Sequence, residues 1–62
     1  MNATFKTDAG VEYRVSLSDA NALFPRSVIL TLVLDTGPRS GTLKKSEARA
    51  IASALMGAAA EL

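Results

Sequence analysis

The run at residues 28–34, which reads Val28, Ile29, Leu30, Thr31, Leu32, Val33 and Leu34, restricts this chain more than any other stretch. Its one polar side chain, Thr31, is itself β-branched. The run is far shorter than the about 20 apolar residues that a membrane-crossing helix needs. It is short, rich in β-branched residues, and bounded by Pro25 before and by Gly37 and Pro38 after, which predicts a buried strand rather than a helix. A strand sends alternate side chains to opposite faces. Val28, Leu30, Leu32 and Leu34 then share one face, and Ile29, Thr31 and Val33 share the other. Both faces are apolar, and both ask for cover.

The chain has little with which to cover them. It has 62 residues, enough for one domain. A domain of roughly 60 residues buries only about 60% of the surface its unfolded chain exposes, so chains of this size usually need a staple. Cys is absent, which excludes disulfides and thiolate metal sites, and His is absent too, which removes the commonest metal ligand and general base. Oligomerisation is the staple that remains, and a hydrophobic fraction of 48% permits it. Seven basic and six acidic residues balance too closely for composition alone to imply nucleic acid or an anionic membrane. No basic, apolar leader opens the sequence, and with no Cys the expected compartment is the cytoplasm.

Before the central run, residues 3–8 and 11–17 read as a hairpin. Val11, Tyr13, Val15 and Leu17 alternate with Glu12, Arg14 and Ser16, one face inside and one wet. Asp8, Ala9 and Gly10 suit the turn, with Gly10 free to take positive φ. Residues 18–26 form a connection in which Ser18 can cap a short helical turn over 19–22 and Leu23 and Phe24 tuck under the domain edge. After the central run, residues 36–41 are dense in turn chemistry, and a short fourth strand at Thr42 and Leu43, reaching back at most to Ser40 and Gly41, can return beside the third. A helix then starts between Lys44 and Ser46 and runs to about Glu61. Ser46 is the best N-cap by residue type; capping at Lys44 instead places Glu47 near the third helical position.

Ala48, Ile51, Ala52, Leu55, Ala58, Ala59 and Leu62 follow the spacing of one buried helical stripe. The opposite side carries Ala50, Ser53, Ala54, Gly57 and Ala60, small residues that let another helix approach closely. The fold expected is α+β, a three- to four-stranded antiparallel sheet with the C-terminal helix packed on one face. The stripe should meet one face of the third strand and the Tyr13, Val15, Leu17 face of the second.

Chemistry finds little support. Asp8, Glu12, Asp19, Asp35, Glu47 and Glu61 each have a structural place, and nothing forces two of them together as an acid–base pair. A serine nucleophile lacks an activating His. The stretch from Gly37 to Ser46 places glycines before lysines at a helix start, where free N–H groups attract anions. It is not a P-loop, since three residues separate Gly37 from Gly41 and Thr42 follows. Arg39, Lys44, Lys45 and Arg49 nonetheless gather against Glu47 alone, a patch that can attract nucleic-acid phosphates without reading sequence.

The expectation is therefore a non-catalytic protein-interaction module, homodimeric, acting as an adaptor or a small inhibitor of a larger partner. Its size and style are those of accessory proteins of phages and other mobile elements, an analogy only. Ile29, Thr31 and Val33, with Ala50, Ala54 and Gly57 on the helix, are the expected dimer or partner interface. Arg26 and Arg39 at loop tips, and Lys44, Lys45 and Arg49, are the expected partner or nucleic-acid contacts. The alternative is a small nucleic-acid-binding protein using residues 39–49. No cofactor, metal, membrane or small-molecule substrate is expected.

Overall fold

The computed structural model describes residues 1–20 and 25–62. Four strands and one helix follow in order: β1 (Asn2–Lys6), β2 (Glu12–Leu17), β3 (Val28–Leu34), β4 (Gly37–Leu43) and α1 (Lys45–Ala59). The strands form one antiparallel sheet in the order β1-β2-β3-β4. This is the expected α+β fold, and the apolar run is an inner strand paired on both sides. Consecutive strands are neighbours throughout, which keeps the connections short and local.

The first hairpin closes as its turn residues dictate. Gly10 takes φ 84, its N–H donates to the Thr7 carbonyl (2.9 Å), and the Val11 N–H donates to the Thr7 hydroxyl (3.1 Å). The second hairpin is tighter than its composition suggests. Residues 36–41 read as turn, yet the reversal takes only Asp35 and Thr36, and β4 begins at Gly37. Neither turn residue has positive φ; Gly37 supplies the left-handed step at φ 117. Pro38 is tolerated inside β4 because that strand lies at the sheet edge, where one row of backbone groups needs no partner. The fourth strand is thus as long as the third, and Arg39 sits within it rather than on a loop tip.

Between β2 and β3, Ser18 does not serve as a helix cap. Its N–H and hydroxyl both donate to the Ser27 carbonyl (2.9 and 3.3 Å), and the Ser27 N–H donates back to the Ser18 hydroxyl (3.1 Å). Ser27 Oγ donates to the Pro25 carbonyl (3.0 Å). This clasp joins the two strand ends across the connection. Asp19 and Ala20 are not helical; the rest of the expected turn, with Leu23 and Phe24, lies outside the described residues.

Lys44 alone links β4 to α1, in extended conformation (φ −70, ψ 162), and it is the N-cap in place of Ser46. The Glu47 carboxylate, at the third helical position, accepts the Lys44 N–H at 2.9 Å. A carboxylate there both satisfies a free donor and faces the positive end of the helix dipole.

The register fixes which side chains share a face. Phe5 lies opposite Tyr13, Tyr13 opposite Leu32, and Leu32 opposite Arg39. Ala3, Val15, Leu30 and Gly41 form the next row, and Leu17, Val28 and Leu43 the next. This face looks toward α1, and Leu34 belongs to it. The other face carries Thr4, Arg14, Thr31 and Ser40 in one row, with Ser16, Ile29 and Thr42 on one side of it and Lys6, Glu12, Val33 and Pro38 on the other.

Candidate interaction surface

The helix meets the sheet where its stripe was expected to, but the meeting is open. Ile51 and Leu55 of α1 line a groove of about 580 Å³ together with Phe5, Tyr13, Val15 and Leu30. No apolar side chain among the described residues is buried, and the one buried residue is Ser27. Of the stripe, Ala48 is half-buried and the rest is exposed. Exposure climbs along the helix, from 38% at Ile51 to 66% at Leu55 and 74% at Met56. The one-residue link at Lys44 holds the helix start beside β4, and among the described residues the later turns of α1 are the more exposed. The groove between helix and sheet is walled and floored by apolar side chains and carries no charged group.

The face away from the helix is different. Ile29, Thr31 and Val33 are half-buried there. Ile29 is flanked by Ser16 and Thr42, and Val33 by Glu12 and Pro38. Thr31 Oγ1 and Ser40 Oγ share a hydrogen bond of 2.8 Å, and Arg14 pairs with Glu12 at 2.7 Å. The sequence pointed to this face as the one lacking cover. The structure shows two half-buried aliphatic side chains flanked by Ser16, Thr42, Glu12 and Pro38, while the more exposed apolar side chains, Phe5, Leu55 and Met56 among them, lie on the helix side or on α1.

Ala50, Ala54 and Gly57, expected at an interface, are exposed on α1. They belong to a longer stretch, residues 50–60, in which no side chain is charged. A helix that is apolar on all sides is ordinarily buried on all sides, and this one is not.

Of the basic residues, Lys44, Lys45 and Arg49 come together with Ser46 around an open hollow of about 610 Å³ at the start of α1. Arg39 does not line it; it lies on β4 opposite Leu32. Arg26 is exposed just ahead of β3. Among the described residues no group of three or more His, Cys, Asp or Glu could hold a metal ion, and no helix is long and apolar enough to cross a membrane.

Sequence reasoning missed that Phe5, Tyr13, Ile51 and Leu55 are exposed and that Val15 and Leu30 are only half-buried, because periodicity assigns all six to a core. It can say which residues face one another but not how closely they meet. No family model matches the chain, and no curated protein and no solved structure matches it.

Proposed function

We propose that the protein is a non-catalytic, homodimeric protein-interaction module that acts by occupying a surface of a larger partner, as an adaptor or a small inhibitor. The observation that carries this reading is the uncovered apolar surface formed by the groove and α1. Contiguous exposed apolar surface of this kind marks an interaction site. Arg26 beside the Ser18–Ser27 clasp and the tip at Asp35 and Thr36 offer polar contacts for that larger partner, at opposite ends of β3.

The test is an affinity pull-down from the native host's lysate with and without nuclease. The expected result is a protein retained after nuclease treatment. Loss of every captured species on nuclease treatment overturns the reading.

A second reading has its own observation, the convergence of Lys44, Lys45 and Arg49 around one hollow. It treats the protein as a small nucleic-acid binder through phosphate contacts. Gel-shift binding at low salt that disappears in the Lys44→Glu, Lys45→Glu double variant supports it, and absence of binding at low salt removes it.

A further inference from the structure

We infer that the occupant of the apolar groove is a second copy of this chain, docked so that α1 of each copy closes the groove of the other. The inference rests on reading the groove as an interaction surface and goes on to say what fills it.

Area is the first support. Monomeric proteins of this chain's 6.5 kDa expose about 3,800 Å² by the relation between surface and mass. This chain exposes 5285 Å². The excess is on the order of 1,500 Å², so two copies hiding that much each would bury about 3,000 Å² together, inside the range of obligate homodimers. Its radius of gyration agrees: 13.2 Å, against about 10.6 Å for a compact chain of the same length.

The second support is shape and chemistry on one side of the molecule. A two-fold interface requires that the same patch be complementary to itself. Here a ridge and a groove lie side by side. The ridge is the exposed length of α1, with Leu55 at the lip of the groove, Met56 on the adjoining flank and no charge from residue 50 to residue 60. The groove is lined by Phe5, Tyr13, Val15, Leu30, Ile51 and Leu55. The residues that line the groove are uncharged, with Arg39 on the same face at its β4 side. Seating each ridge in the opposite groove buries the helix on both sides, as its composition asks. Ala54 and Gly57 leave room for the two helices to approach closely where they cross.

The inference is tested by mass and by contact. Sedimentation velocity from low to high micromolar concentration should give about twice the chain's 6.5 kDa. Leu55→Lys should halve that mass, whereas Val33→Asp, on the other face, should leave it doubled. Should Leu55→Lys fail to fold, the unmodified protein still decides, because the melting temperature of an obligate dimer rises with protein concentration. Filtered nuclear Overhauser spectra of mixed isotope-labelled and unlabelled chains should show Leu55 and Met56 of one copy against Phe5, Tyr13 or Leu30 of the other. A monomer at high micromolar concentration overturns the inference. So does a dimer lacking those contacts, for example one joined through Ile29 and Val33. A monomer whose pull-down partner is released by Leu55→Lys also overturns it, and removes the homodimer from the proposed function while leaving its partner-binding role standing. A groove-closed dimer that retains no further partner supports it while removing the larger-partner role.

Discussion

The two faces of the sheet draw on the same central strand and end up with opposite characters. On the helix side, Leu30 and Leu32 of β3 are continued across the sheet by Val15 and Tyr13 and then by Ala3 and Phe5. On the far side, Ile29 and Val33 are stopped at the first neighbour by Ser16, Thr42, Glu12 and Pro38. β3 itself is almost equally apolar in both directions. What separates the faces is the alternation of β2 and β1, since β4 sets Gly41 and Arg39 beside Leu30 and Leu32 on the helix side. An apolar strand thus marks an interface only where its cross-strand neighbours extend the patch, since those pairs are the unit in which a sheet face is built.

This contrast can be broken or sharpened by substitution. The largest effect is expected from Leu30→Asp, which puts a charge on the floor of the groove. If the groove is closed in solution, the change should destabilise by about 3 kcal/mol or more and abolish association, read by urea denaturation and light scattering. Val33→Asp is the matched change on the far face. With Glu12 and Pro38 beside it and solvent within reach, it should cost about 1 kcal/mol and leave the mass unchanged. A cost equal to that of Leu30→Asp would erase the distinction between the faces. Thr31→Val then probes the polar field itself. It removes the hydrogen bond with Ser40 but keeps a β-branched residue, and because Ser40 can turn to water the expected change in urea midpoint corresponds to about 0.5 kcal/mol or less. Smallest is Arg14→Ala. Its ion pair with Glu12 is solvent-exposed on the arginine side, and such pairs contribute roughly 0–1 kcal/mol, so thermal denaturation at moderate salt should barely move.

Much of this architecture was legible in the sequence. The alternation from Val11 to Leu17, the turn at Gly10, the apolar run and the helical stripe each carry a period that only one element satisfies. The length of β4 was not legible. Gly37, Pro38 and Gly41 read as turn residues, and an edge position, which excuses a proline, is a property of the finished sheet rather than of the local chain. The capping position was half legible. Ser46 is the better cap by type, but Glu47 reaches the Lys44 N–H, so the reciprocal carboxylate outweighs the hydroxyl. A shortage of cover was legible in the sequence; that Phe5, Tyr13, Ile51 and Leu55 stay exposed on the helix side was not. Periodicity assigns Ile51 and Leu55 to the sheet, and it carries no information on how far the helix stands from it.

Tyr13 has a consequence in optical terms. The chain has no Trp and one Tyr, and that Tyr lines the groove directly opposite Phe5. At wavelengths too long for phenylalanine the protein therefore carries one fluorophore, placed in the groove and absent from the other face. Closing the groove should fix and desolvate the phenol ring, sharpening its near-ultraviolet circular dichroism and changing its emission as concentration rises. Association can then be followed in the unlabelled, unsubstituted chain, with a signal that changes at the far face leave untouched.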